Sequence, residues 1–197
     1  LPLFPEAIEN MALVIGFMAA SGMVYGAWIA LAQKDIKALV AYSSISHLGF
    51  IVLGIFAQNG EGIQGSVLQM FNHGIIASAL FLIVGFIESR MGTRNLGELR
   101  GLSKSMPVLY GVFMLVMLAA LGLPGLNGFV GEFLILMGVW TSHLLAGLAS
   151  ILVLMGGLSI VFASIYMLYM FQGSMQEKPT VENNSDISSS EFKLLLP

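Results

Sequence analysis

Apolar residues are gathered along this chain into blocks long enough to cross a membrane, separated by short polar segments. A helix rises 1.5 Å per residue and the hydrocarbon layer is about 30 Å thick, so about 20 apolar residues make one crossing. Four blocks have that length: 11–31, 38–57, 65–87 and 146–171. Between the third and the last, residues 107–139 stay apolar well beyond one straight span. Lipid cannot satisfy free backbone groups, so each block is predicted to be helical, and irregular backbone at depth must be buried in protein or line a watery cavity. The pattern therefore predicts an all-α polytopic membrane protein. It has five transmembrane helices, the fourth (107–139) discontinuous near 122–128, where Gly122, Pro124, Gly125 and Gly128 gather. Proline removes an amide donor and clashes with the preceding turn, and glycine permits unusual dihedrals.

Composition and charge order sharpen this outline. The chain is 57% hydrophobic and only 10% charged, against roughly 25% charged residues in an ordinary soluble domain. Its mean hydropathy is +0.89. With five spans, all eight basic residues (Lys34, Lys37, Arg90, Arg94, Arg100, Lys104, Lys178 and Lys193) fall on one side, and the loops at 1–10, 58–64 and 140–145 carry none. By the positive-inside rule the basic side is cytoplasmic, or matrix-facing in an organelle. Splitting 107–139 into two crossings would send Lys178 and Lys193 to the far side, so one broken helix is expected rather than a hairpin. Residues 1–10 are expected as a loop on the outer side, 11–172 as the membrane domain, and 173–197 as a polar, serine-rich tail leading to a further span. The chain begins without methionine or a signal-peptide pattern and ends on EFKLLLP, which reads as an internal piece of a longer protein. With no cysteine and three scattered histidines, disulfides, thiolate chemistry and a metal-ligand spacing are all excluded. No phosphate-binding glycine loop, haem ligation or iron–sulfur pattern is present.

Three ionisable residues remain at depth: His47, His73 and Glu132. A carboxylate at the centre of a lipid-facing helix costs about 2.5–3.5 kcal/mol, so Glu132 should face the bundle interior or water. It follows the expected break directly, and Asn127 can serve backbone groups freed there. Ser43 lies one turn before His47 and Ser46 beside it, while Ser66, Gln69 and His73 form one stripe on the next span with Asn72 adjacent. Imidazole accepts at one nitrogen and donates at the other near neutral pH, so two polar faces with one imidazole each suit proton transfer. The plainer alternative is a Pro/Gly kink with a protonated glutamate, and histidines that merely hold helices together. His143 at the outer boundary reads as interfacial, as do Trp28, Trp140, Tyr110 and Tyr169 near span ends. The connection carrying Lys34, Asp35 and Lys37 is explained by orientation charges with a local ion pair, or alternatively by a proton entrance.

The segments AQKDIKALVAYSSISHLGF, QMFNHGIIASALF and LGLPGLNGFVGEF resemble, in order and spacing, the antiporter-like proton-translocating subunits of respiratory complex I. Those subunits are similar in turn to subunits of multi-subunit sodium/proton antiporters. The resemblance covers roughly residues 1–175. Sister subunits usually carry lysine where Glu132 stands in the GEF motif, so the glutamate points to the chain M branch, called subunit 4 in mitochondria. The resemblance implies the second of two inverted five-helix repeats, with His47 and His73 on a central hydrophilic axis and Glu132 as the terminal acid of an exit half-channel. It implies no cofactor in this chain. NADH, FMN, iron–sulfur clusters and quinone are expected in partner subunits, and the partners are the other membrane-arm subunits, the N-terminal half of the same subunit and the lipid bilayer, with no nucleic acid. The expected location is a bacterial or mitochondrial inner membrane.

Overall fold

The computed structural model describes residues 5–176 and 185–195, and among them there is no strand. Four helices are long and apolar enough to cross a membrane: α1 (Pro5–Ala32), α2 (Ile36–Phe56), α3 (Gly60–Met91) and α6 (Ala149–Phe171). The long fourth block is two shorter helices, α4 (Pro107–Ala120) and α5 (Asn127–Thr141). A short helix, α7 (Ser189–Leu194), follows near the end of the described residues. Lys178 lies outside the described residues.

Several expected boundaries move. Residues 5–10 belong to α1, not to a loop, and α3 starts at Gly60 and runs on to Met91, so its flanking loops are shorter than the hydropathy blocks imply. The start of the tail is also corrected. Residues 172–176 continue α6 as a π-turn, with Ser174 and Met175 buried. The Ser174 and Met175 carbonyls accept from the amides of Leu102 and Ser103 at 3.2 and 3.1 Å, which ties the turn to the α3–α4 loop.

Local chemistry explains the ends. Asp35 caps α2, its carboxylate accepting from the Lys37 and Ala38 amides at 2.7 and 3.2 Å, and Asn59 caps α3 by accepting from the Gly62 amide at 2.9 Å. Gly92 ends α3 in the left-handed conformation. The amides opening α4 are capped from far along the chain: Asp186 accepts from Val108 and Leu109 at 2.7 and 3.2 Å.

In lipid, helices associate through close van der Waals contact and interhelical hydrogen bonds, because lipid tails are as apolar as leucine. The α3–α5 interface shows this directly. A Cβ at Gly138 would collide with the Gly62 backbone, so the two helices touch main chain to main chain there. Helix α2 is the hub, packed against α1, α3, α5 and α6. Two buried apolar clusters result. One, at the end bearing the basic loops, contains Phe113, Met117, Met167 and Phe171; the other, at the opposite end, contains Phe50, Leu53, Ile135 and Leu152. Between these two dry layers lies the polar centre of the bundle. Large apolar side chains such as Phe17, Met18, Phe71 and Leu154 point outward and remain exposed, as lipid-facing residues do.

Candidate functional site: a buried acid at a helix break

The break runs from Leu121 to Leu126. Gly122 and Gly125 have φ of +66° and +101°, values that side-chain-bearing residues rarely adopt. The Gly122 amide reaches back to Ala119 O at 3.2 Å and that of Leu126 to Leu123 O at 3.0 Å, so the chain turns tightly before α5 begins. Pro124 sits inside this turn, outside both helices. Asn127 and Gly128 are not unwound: both lie in the first turn of α5. Gly128 is required for a different reason from the expected one, since a Cβ there would strike Ala119 O at the end of α4.

The break places Glu132 in the bundle interior, 4% exposed. Its Oε1 meets His47 Nδ1 of α2 at 3.1 Å, across 85 positions of sequence. Gln69 Nε2 of α3 donates to the same oxygen at 3.4 Å. Its Oε2 lies against Gly122, where a Cβ would come within 2.9 Å. The His47 and His73 rings are 5.3 Å apart between centroids and inclined by 35°. His73, His47 and Glu132 thus form a series from α3 through α2 to α5, with His73 half-buried at one end. A cavity of about 10 Å³ is lined by these three residues with Gln69, Gly128, Ile76, Ala119 and Ala120. That is about the volume that one water needs.

The other polar residues divide into three roles. Asn72 Nδ2 donates to Asn127 O at 2.7 Å, and Asn127 Nδ2 donates back to Asn72 Oδ1 at 3.4 Å, which pins the start of α5 to α3. Ser43 donates to Val40 O at 2.7 Å within its own helix, and Ser66 donates to Ile51 O at 2.9 Å across to α2. Ser46 does not join the site: its stretch of α2 faces α1, where a Cβ on Gly26 would lie 2.9 Å from the Ser46 amide.

At the basic end, Asp35 combines its capping role with an ion pair to Arg94 Nε at 3.3 Å. The depression formed by Lys34, Asp35, Glu88 and Arg94 shares no lining residue with the cavity at Glu132, and Lys37 is not among its walls. Tyr110, expected in an interfacial belt, packs its ring 5.3 Å from that of Phe171. Trp28, Trp140 and Tyr169 are exposed near helix ends, and His143 is exposed beyond the end of α5.

One buried polar residue escapes a reading of sequence. Tyr166 of α6 is completely buried, and its hydroxyl meets no hydrogen-bond partner of good geometry among the described residues. A signal existed in the buried stripe Gly156, Ser159, Ala163, Tyr166 and Met170, whose spacing marks one inward face of α6. Tyr169, three residues on, is the outward-facing one.

Discontinuous helices at mid-depth are where membrane transporters build their ion sites, and here one stands beside a buried acid and two imidazoles in series. Residues 1–159 match the family described as NADH:quinone oxidoreductase/Mrp antiporter, transmembrane, and the chain belongs to that family. It is 39% identical over 175 residues to NADH-quinone oxidoreductase subunit M of Rickettsia prowazekii, a match covering 89% of this chain and 34% of the relative. It is 40% identical over 187 residues to the Mycobacterium tuberculosis H37Rv subunit M, covering 95% and 32%. The chain thus spans about a third of the length of these relatives. Among solved structures, a chain of respiratory complex I from Thermus thermophilus with bound NADH superposes with a TM-score of 0.91 at 35% identity, over 99% of this chain and 40% of that one. The Mrp complex from a Dietzia species shares the fold, with a TM-score of 0.78 at 24% identity over 90% and 33%.

Proposed function

We propose that this chain is the acid-bearing repeat of a subunit M type, proton-translocating component of NADH:quinone oxidoreductase. Protons pass from His73 to His47 and on to Glu132, then leave through water toward the end opposite the basic loops. The observation that carries this reading is the buried Glu132–His47 contact beside the helix break, with His73 next in line. Imidazole takes a proton at one nitrogen and releases one at the other, so two rings and a carboxyl in sequence can hand a proton on without a large conformational change. Intramembrane acids are expensive and seldom retained without a task.

The redox chemistry, in this reading, belongs to partner subunits carrying NADH, FMN, iron–sulfur clusters and quinone. In this reading the basic loops face the cytoplasm or mitochondrial matrix of an inner membrane. The other half of the subunit completes the pathway, so the repeat alone does not pump. In the full complex, Glu132→Gln is expected to lower protons translocated per electron while assembly and subunit content stay normal. Unchanged pumping per electron would reject the relay. A cation/proton antiporter module is the second reading, favoured by the fold shared with the Mrp complex; translocation that depends on sodium and persists without any redox partner would establish it instead.

A further inference from the structure

Two amide side chains of α3 meet α5 about one turn apart, and they are served very differently. Asn72 uses both ends: Nδ2 donates to Asn127 O at 2.7 Å, and Oδ1 accepts from Asn127 Nδ2 at 3.4 Å. Gln69, only 2% exposed, uses one. Its Nε2 donates to Glu132 Oε1 at 3.4 Å, while its own Oε1 is buried with no hydrogen-bond partner among the described residues. An unpaired buried acceptor carries the full loss of its hydration. An apolar side chain of the same length would hold α3 to α5 without that cost, so packing alone does not account for the amide.

A glycine makes room for it. A Cβ on Gly131 of α5 would come 2.5 Å from Gln69 Oε1 and 3.1 Å from Gln69 Cβ, so a side chain at 131 would push the amide off the acid. Gln69 also forms part of the wall of the cavity of about 10 Å³ that it shares with His47, His73 and Glu132. The two ends of a carboxamide are nearly equal in size and its last torsion is roughly two-fold. A half-turn therefore exchanges Nε2 and Oε1 within the same space.

An acceptor beside Glu132 has no use while the carboxyl is ionised, because a carboxylate only accepts. It gains one when a proton arrives. In that step the Nδ1–H bond of a protonated His47 breaks, its electron pair stays on nitrogen, and an O–H bond forms on Glu132 Oε1, leaving a neutral imidazole and a neutral acid. The new O–H faces the nitrogen it came from at 3.1 Å, and that nitrogen is now an acceptor able to take the proton back. We propose that Gln69 serves both charge states of Glu132: Nε2 donates to the carboxylate, and after a half-turn of the amide Oε1 accepts from the carboxylic acid, drawing its proton away from His47. The acid then keeps its proton while His47 is recharged from His73. This inference rests on the reading of Glu132 as the proton-carrying acid.

The test uses the full complex. In infrared difference spectra, the Glu132 bands of both charge states, acid C=O and carboxylate, are the ones lost in Glu132→Gln. Gln69→Met keeps the length of the side chain and removes both polar ends. It should shift the carboxylate band and move the acid C=O band to higher wavenumber, as a carboxyl does on losing a hydrogen bond, and translocation should fall about tenfold, the size expected when one hydrogen bond to a charged group is lost. Gly131→Ala, which keeps Gln69 but displaces its amide, should move the same two bands, and it carries the test if Gln69→Met fails to assemble. A shift of the carboxylate band alone overturns the proposal, because the amide then never turns to the acid; two unmoved bands overturn it as well. If Glu132→Gln removes no band, the proton-carrying reading of Glu132 fails and this inference falls with it, an outcome distinct from bands that are present but unmoved.

Discussion

Gly122 and Gly125 lie three residues apart in the same turn and offer a comparison that separates backbone strain from disturbance of the acid. Both have positive φ, and an alanine in a left-handed conformation costs about 1–2 kcal/mol. At Gly125 a Cβ meets nothing within 4 Å, so strain is the whole effect. At Gly122 the Cβ would stand 2.9 Å from Glu132 Oε2, inside the ordinary contact distance of 3.4 Å or more, so the carboxylate must withdraw by about half an ångström. That displacement tilts the carboxyl about its 3.1 Å contact with His47. Hydrogen bonds to charged groups contribute about 1.5–3 kcal/mol, and losing about 1.4 kcal/mol of it slows a step tenfold. Gly122→Ala and Gly125→Ala should therefore lower thermal stability of the detergent-solubilised complex by similar amounts. Only Gly122→Ala should also cut translocation, by about tenfold, measured as dye-reported acidification in proteoliposomes. Equal translocation in the two variants would refute the placement of the acid against the break.

Three other predictions concern separate contacts. Replacing His47 by Ala and Glu132 by Gln, singly and together, should give translocation losses that do not multiply, with a coupling of about 1.5–3 kcal/mol; independent losses would show that the hydrogen bond is not used. Asp186→Ala removes the acceptor for the Val108 and Leu109 amides and should cost about 1 kcal/mol of thermal stability, the usual effect of losing a helix cap. Hydrogen bonding to Arg90, first, and then to the Ser188 amide and hydroxyl holds the Glu191 carboxyl down at about 2. The contact is therefore fully present above the ordinary glutamate value of 4.5 and weakens as pH falls through that range toward about 2. Arg90→Ala should release α7 at neutral pH, read as faster proteolysis at residues 185–195, whereas the parent should resist until acid conditions are reached.

The span pattern was legible in the sequence because the lipid environment makes it a local property. Each crossing must satisfy its own backbone hydrogen bonds, so apolar length alone marks α1, α2, α3 and α6. Proline and glycine punctuation likewise marked the interruption between α4 and α5, and an acid within an apolar block announced itself by its cost. The ends were less legible. Hydropathy records which residues prefer lipid and not where helical hydrogen bonding stops, so α1 starts at Pro5 and the π-turn carries α6 on to Gln176.

What the tertiary structure decided is which atoms meet. His47 and Glu132 are 85 positions apart, and only the packing of α2 against α5 brings nitrogen to oxygen. A helical face can be read from spacing, but its rotation toward one neighbour or another is set by contacts along the whole interface, so Ser46 turned to α1 while the Ser43 hydroxyl bonds back to Val40 O within α2. Gly128 looked like part of the unwound segment and proved to be a point of close approach to Ala119. The spacing of small and polar residues along α6 marks the face that carries Tyr166, but its complete burial is set only by the surfaces that surround that face once the helices have assembled.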